Sequence, residues 1–361
     1  MILYLCVALL LFLFAAMPLL GTGDLRYQWT MAACLSLLAY GFSFLRWETG
    51  TDWDMYAYMF GQLTDMTSVR QQTWWGPGYS YAAVLVNACG GGYSVLLFCI
   101  ATALFSLKFH MLRQTCAAPL IAIYVLFCTS FYDIYFVRQS VAVIFYWAFA
   151  YYWFNKKTLY ALCAALLAIA FHTSAALPIA LLLPVGRVTP RTALLYGVPA
   201  LLLMGLVISR LSVNDLLSIP GVQGYVVSSF VEQKESEIST TFRAYLKILF
   251  WVFLIAAGYY SFYKRNLPST SKEWNVFCLH CSAVIVVVSA LLLPLSEVFA
   301  RFPAYAAPLL ASVLANYRFR MAPLTIGGAA YLTVLLLLFV ELGFQYSAYP
   351  DLFYPIKTVF D

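Results

Sequence analysis

The segment LYALCAALLAIAFHTSAALPIALLLPVG, from Leu159 to Gly186, contains no aspartate, glutamate, lysine or arginine. About 20 apolar residues are enough for a helix to cross the roughly 30 Å hydrocarbon core of a bilayer, so the run predicts a segment embedded in a membrane. The polar residues His172, Thr173 and Ser174 interrupt it near its middle. The sequence therefore predicts a membrane segment whose helix breaks at these three residues.

The rest of the chain has the same apolar character. Its 361 residues are 63% hydrophobic and only 10% charged, with a mean hydropathy of +0.83, whereas a soluble domain carries roughly 25% charged residues. The apolar runs are continuous and lack the alternation of a membrane β-barrel. We therefore predict an all-α polytopic membrane protein with a single transmembrane domain over residues 1–361. About 10 full spans are expected, at residues 2–20, 27–45, 93–109, 118–133, 139–154, 192–210, 243–263, 275–295, 301–317 and 322–341.

Two further apolar segments, residues 76–90 and 159–185, do not fit as simple crossings. The first contains roughly fourteen apolar residues and would reach only about 20 Å as a helix. The second has basic residues on both sides, so an odd number of crossings would place one basic group outside. We predict re-entrant or half-helices for both, with His172 at the tip of the second. A single tilted helix is the alternative for residues 159–185.

Lysine and arginine distribution predicts the orientation. The clusters at Lys108, Lys156, Lys264 and Arg318 follow the positive-inside rule if they are cytoplasmic. The loops 46–92 and 211–242, together with both chain ends, are then external. The net charge of +6 is interpreted as this topology signal, so no nucleic-acid partner is expected.

Several arginines nevertheless lie at helix ends on the predicted external side. An arginine near the hydrocarbon boundary is costly unless it snorkels or meets an anion, and its planar fork binds phosphate bidentately. Each could simply cap its own helix. Their convergence at one membrane level favours an anion site, and the candidates are Arg46, Arg138, Arg243 and Arg301.

The polar break supplies a candidate for proton transfer. A lone histidine in an apolar segment is more often structural, but His172 lies beside two hydroxyls at a helix break, and imidazole titrates in the useful range. Arg301 follows Glu297 at spacing i, i+4, which one α-helical turn would hold side by side. No metal or other cofactor is predicted, because no histidine or cysteine accompanies His172 at ligand spacing.

These elements occur in one order that resembles a known family. The ordered set is Arg46 with GTDW and Tyr56, PGY at 77–79, Arg138 with Gln139, FHTS at 171–174, and Glu297 with Arg301. This set, from about residue 40 to 305, resembles the EpsG-like branch of the Wzy-type O-antigen and exopolysaccharide polymerases. One departure is that relatives commonly carry an acidic residue just before Pro-Gly-Tyr, where this chain has Gly76.

The resemblance implies a multi-pass glycosyltransferase of the bacterial inner membrane with a GT-C-like architecture. It would act at the periplasmic face on undecaprenyl-diphosphate-linked oligosaccharide repeat units, transferring the growing glycan to the next unit without a metal. Its partners would be the lipid-linked glycan, membrane lipid and a chain-length regulator. A flippase for lipid-linked oligosaccharide, an O-antigen ligase and an acyltransferase are the alternatives.

The resemblance also suggests residue roles. The arginines, above all Arg138 and Arg301, would stabilise the diphosphate leaving group. His172 and a carboxylate, Asp52 or Glu297, are the candidates for the base that takes the acceptor proton. His172 would assist proton movement, and Asp52 would orient the acceptor or act as the base. The aromatic residues could stack on sugar rings or form an interfacial belt, and the candidates for stacking are Trp53, Trp75 and Tyr79.

Overall fold

The computed structural model describes the chain in two compact units, Met1–Ile179 with Ala307–Asp361, and Ala180–Ala306. The described residues are 9–10, 12–13, 15–16, 25–47, 53–71, 76–129, 137–185, 238–263, 269–293, 297–316, 326–348 and 357–358. Most of the predicted span 2–20, the whole span 192–210 and the loop 211–242 up to residue 237 therefore lie outside the described residues. The prediction of one transmembrane domain with external loops 46–92 and 211–242 stays a prediction.

The first unit is helical over nearly all of its described residues. Its helices are α1 (Leu25–Leu45), α2 (Trp53–Gln62), α3 (Met66–Gln71), α4 (Pro77–Ala88), α5 (Tyr93–Thr115), α6 (Pro119–Thr129), α7 (Val137–Phe154), α8 (Thr158–Phe171), α12 (Ala307–Asn316) and α13 (Ile326–Ala348). A 3₁₀ turn, Thr173–Ala175, follows α8, and α9 (Ala176–Val185) extends across the division between the units.

The second unit contains the other long helices. These are α10 (Ile238–Tyr263), α11 (Ser269–Leu292) and a 3₁₀ helix at Glu297–Tyr305. Helices α10 and α11 pack on each other, and the 3₁₀ helix contacts both. The hydroxyl of Ser289 on α11 donates a hydrogen bond to the carbonyl of Phe299, which ties the 3₁₀ helix to α11.

Among the described residues, three helices are long and apolar enough to cross a membrane: Arg26–Leu45, Tyr93–Thr115 and Lys272–Leu292. They coincide with the predicted spans 27–45, 93–109 and 275–295, so the prediction of a helical membrane protein is confirmed.

Helix α5 continues six residues beyond its predicted end, since its apolar face continues there. Lys108 is consequently a buried residue of this helix, with its ammonium 4.8 Å from the centre of the Phe105 ring.

One predicted span has a different secondary structure from the one expected. Residues 301–317 do not form one α-helix, because the chain is 3₁₀ up to Tyr305 and α-helical only from Ala307. The all-α class is confirmed, since nearly all described residues are helical. The described residues also include one short ladder, in which β1 (Arg46–Trp47) pairs antiparallel with β2 (Lys357–Thr358), with Arg46 opposite Thr358. The short ladder joins the segment after α1 to the last residues of the chain, a long-range pairing that helical periodicity does not reveal.

Helix α6 is the centre of the first unit. All its residues except Phe127 are buried, as expected for a helix that is apolar on every side. It packs against α12, α1 and α13, and the hydroxyl of Tyr124 donates to the carbonyl of Leu335 on α13 at 2.7 Å. Helix α12 is equally buried, from Ala307 to Ala315.

A buried polar cluster connects the turn between α5 and α6 to the end of α12. The side-chain oxygen of Asn316 accepts from the amide of Ala117, and its amide nitrogen donates to the carbonyl of Thr115, both at 2.8 Å. Beside it, burial raises the pKa of the Cys116 thiol to about 11, against the opposing effect of its hydrogen bonds to Thr115 and Ser312. The thiol therefore stays protonated and packs as a small apolar group.

We predict that Asn316→Ala destabilises the protein by about 1–3 kcal/mol, because it removes both hydrogen bonds from partly buried backbone groups. The matched control is Asn155→Ala, since the Asn155 amide also donates to a backbone carbonyl, but at an exposed site. Thermal unfolding in detergent should show a clear loss for Asn316→Ala and little change for Asn155→Ala. Equal melting temperatures for the two variants would contradict this role.

Candidate functional site

Helix α4 begins directly against the end of α8. Gly76 has φ 72° and precedes Pro77, which suits the first position of a helix. A Cβ on Gly76 would lie 2.8 Å from the carbonyl oxygen of Ala170, and one on Gly78 would lie 2.9 Å from the Phe171 ring. Only glycine combines this backbone conformation with so close an approach. The Pro-Gly-Tyr element therefore lies where the start of α4 contacts the end of α8.

The helix break predicted at residues 171–174 is confirmed. Helix α8 ends at Phe171, and His172 is extended, with φ −151° and ψ 113°. The Nδ1 atom of His172 accepts from the Ser174 amide at 3.3 Å and lies 2.6 Å from the Ser174 hydroxyl oxygen. A backbone amide can only donate, so Nδ1 is the acceptor, and the neutral ring carries its proton on Nε2. The single continuous helix considered for residues 159–185 is ruled out.

The break lies at the level of the first turns of α7. Helices α7 and α8 are joined by the short connection at residues 155–157 and pack along each other, so they run antiparallel. Equal rises per residue then place residues 171–174 opposite the start of α7, which carries Arg138. The 3₁₀ turn contacts α7, and Phe171 stacks on Phe145, which lies about two turns after Arg138 on α7, with ring centres 6.1 Å apart.

Arg138 is held by a tyrosine from a distant part of the chain. Its Nε donates to the hydroxyl of Tyr56 on α2 at 2.9 Å, and its guanidinium carbon lies 5.3 Å from the centre of the Tyr56 ring. That separation is within the range of a cation–π interaction. Arg138 is partly buried, while the next two residues of α7, Gln139 and Ser140, are buried. The structure therefore fixes Arg138 in a defined position against α2.

Tyr56 is in turn fixed by α4. The Tyr79 hydroxyl donates to the backbone carbonyl of Tyr56 at 3.3 Å, and the two rings meet edge to face at 5.4 Å. Asn87, at the other end of α4, donates to the carbonyls of Phe60 and Leu63, both at 2.9 Å, at the C-terminus of α2. Helix α4 therefore holds α2 at two points.

Two predicted sugar-binding residues pack inside the protein. Tyr79 is fully buried against Tyr56, and Trp53 is 9% exposed, with its ring edge to face with Tyr93 at 5.5 Å. Stacking on a sugar needs an exposed ring face. A sugar-binding role for these two residues stays a prediction, and it would require the rings to be uncovered.

Other predicted site residues are described only in part or not at all. Arg46 lies in β1, where the structure gives its backbone pairing. Asp52 and Trp75 lie outside the described residues. Their roles as base and as sugar-stacking residue stay predictions.

Three further candidates belong to the second unit. Arg243 lies in α10, and Glu297 and Arg301 lie in the 3₁₀ helix, with Arg301 exposed. The prediction that Glu297 and Arg301 share one α-helical turn was wrong. With three residues per turn, positions i and i+4 lie about 120° apart around the helix axis. Arg138 and the helix break at His172 belong to the first unit. The second unit contains Arg243, Glu297 and Arg301.

Tyr56 is the functional candidate that sequence reasoning missed. The sequence marks it only as one of the motifs that carry the family resemblance and gives no reason to connect it with Arg138, which lies 82 positions away. Its position one helical turn after the candidate base Asp52 was the only hint in the sequence that Tyr56 belongs to the site.

Among the described residues, no three histidine, cysteine or acidic side chains are grouped so that they could hold a metal ion.

Comparison with known families adds an independent observation. The model of the EpsG family matches residues 29–358, nearly the whole chain. The chain belongs to the EpsG family. The resemblance drawn from the ordered motifs is thereby confirmed, and EpsG membership suggests a membrane polymerase of the polysaccharide type. Comparisons with characterised proteins and with solved structures give no match.

We predict that Gly76→Ala disrupts this EpsG-family protein by several kcal/mol. The substitution forces a side chain into a glycine-only conformation and against the Ala170 carbonyl. The control is Gly61→Ala, since a Cβ at helical Gly61 would meet nothing within 4 Å and alanine should stabilise the helix by about 0.5–1 kcal/mol. Folded yield and melting temperature in detergent measure both effects, and a Gly76→Ala variant as stable as wild type would refute the close contact.

Proposed function

We propose that this protein polymerises undecaprenyl-diphosphate-linked oligosaccharide repeat units at the periplasmic face of a bacterial inner membrane. Family membership supports the polymerase class. The observation that carries the site is the guanidinium of Arg138 fixed by Tyr56 in the same unit as the broken helix at His172. The proposal includes about 10 spans, a GT-C-like architecture and independence from metal ions.

The reaction is a glycosyl transfer. A hydroxyl oxygen of the acceptor repeat unit attacks C1 of the sugar joined to the donor diphosphate. The C1–O bond to phosphate breaks with its electron pair going to that oxygen, and undecaprenyl diphosphate leaves. The acceptor hydroxyl loses its proton to a base. The product is a glycan longer by one repeat unit on the acceptor lipid.

Arg138 stabilises the leaving group in this scheme. Negative charge develops on the bridging phosphate oxygen as the C1–O bond breaks, and a positioned guanidinium favours that state over the ground state. Arginine suits the task because its planar fork matches two phosphate oxygens. Arg46, Arg243 and Arg301 are proposed as further contacts to the diphosphate.

His172 acts as a hydrogen-bond donor in the proposed mechanism. With Nδ1 accepting from Ser174, the neutral ring offers its Nε2 proton. That proton can be shared with a departing phosphate oxygen, whereas acting as a base would need Nε2 to be unprotonated. The base is therefore proposed to be a carboxylate, either Asp52 or Glu297. Trp75 is proposed to stack on a sugar ring, and Trp53 and Tyr79 would do so only if their buried rings were uncovered.

We expect Arg138→Ala to abolish long-chain polymer, since removing a charge-assisted contact that strengthens in the transition state costs on the order of 10²–10³ in rate. The control is Arg113→Ala, because Arg113 is an exposed residue at the end of α5. Each variant is incubated, purified, with the lipid-linked repeat unit of its host, and product length is read on a gel. Full-length ladders from Arg138→Ala would exclude the assignment.

The same assay separates the alternative functions. New glycosidic bonds between repeat units indicate a polymerase. Movement of the lipid-linked unit across a vesicle membrane without new bonds indicates a flippase. Product formed only when a lipid-A core is supplied indicates a ligase.

His172→Ala should also abolish long-chain polymer while the protein still inserts and purifies as a monodisperse species, because the donor to the leaving group is lost. His110→Ala is the matched control, since His110 is exposed on α5. Wild-type chain lengths from the His172 variant would restrict this histidine to capping the turn that follows it.

A further inference from the structure

The environment of Arg138 contains a second residue that the proposed mechanism has not used. Tyr56 is 4% exposed, and its hydroxyl accepts the Nε–H of Arg138 at 2.9 Å. The two residues come from α2 and α7, which are remote in sequence. A hydrogen bond of this kind between distant helices is a tertiary feature and not a local cap.

We propose that Tyr56 is a positioning residue that orients the Arg138 guanidinium for end-on binding of a diphosphate. This inference rests on the proposed function. A guanidinium can grip an oxyanion through its Nε edge or through its two terminal nitrogens. The bond to Tyr56 occupies Nε and so directs the anion to the terminal nitrogens.

The orientation is set before substrate arrives. A free arginine side chain samples many rotamers, and fixing it on binding costs affinity. Tyr56 itself has little freedom, because its ring meets Tyr79 at 5.4 Å and its carbonyl accepts from the Tyr79 hydroxyl. Tyr79 is fully buried on α4, and α4 abuts the end of α8. The position of Arg138 therefore depends on the contact between α4 and α8, through Tyr79 and Tyr56.

This arrangement gives Tyr79 a role different from sugar stacking. Its hydroxyl and ring hold Tyr56, so it acts on the site through two intervening contacts. Among the described residues, the three side chains Tyr79, Tyr56 and Arg138 form a connected series from the helix break to the proposed phosphate contact. Loss of the Tyr56 hydroxyl should weaken anion binding more than loss of the Tyr79 hydroxyl.

The test measures binding of undecaprenyl diphosphate alone to the purified full-length protein. Tyr56→Phe removes only the hydroxyl and should weaken binding about tenfold, while Tyr79→Phe should weaken it about twofold to threefold. Tyr58→Phe is the matched control, since Tyr58 lies on the same helix and is 65% exposed, and it should bind as wild type. Melting temperatures confirm that each variant is folded.

A double substitution separates positioning from general stability. Lysine has no Nε, so Tyr56→Phe made in an Arg138→Lys protein should change the affinity by less than twofold. An equal loss in both backgrounds would show that Tyr56 does not act through Arg138 and would overturn the inference. Wild-type affinity in Tyr56→Phe would overturn it as well, but would leave the proposed function standing. Failure of the wild-type protein to bind undecaprenyl diphosphate would overturn both.

Discussion

The contact between the start of α4 and the end of α8 is the constraint on which the candidate site depends. A helix that ends inside an apolar protein leaves backbone carbonyls without helical partners. In a membrane protein such irregular backbone persists only where protein covers it or water reaches it. Gly76 and Gly78 let the backbone of α4 approach the carbonyls of Ala170 and Phe171 closely. The N-terminal end of one helix dipole thereby meets the C-terminal end of another, which is electrostatically favourable.

That contact has consequences beyond the two helix ends. It determines where α4 lies, and α4 holds α2 through Tyr79 at one end and Asn87 at the other. Helix α2 then presents Tyr56 to Arg138. The His172 break and the arginine therefore depend on one packing arrangement, so a change at Gly76 should affect both. The absence of an acidic residue at Gly76 also has a structural reason, because any side chain there would meet the Ala170 carbonyl.

How far the sequence could predict the site varies from residue to residue. The break at 171–174 was predictable because polar residues interrupt a long apolar run, and the Pro-Gly-Tyr element marked a helix start. The placement of Glu297 and Arg301 on one α-helical turn was predicted incorrectly, because nothing in the sequence EVFARFPAY distinguishes a 3₁₀ helix from an α-helix except Pro303. The short ladder between β1 and β2 joins segments more than 300 positions apart, and local patterns carry no information about such pairings.

The membrane class, the positions of the long apolar helices and the broken helix at His172 followed from the sequence by itself. Each of these depends on local composition and periodicity, which hydrophobic burial translates directly into structure. The partner of Arg138 and the burial of Tyr79 and Trp53 were decided only by the tertiary structure. These features depend on which helix faces meet, and that is determined by packing among side chains far apart in the chain.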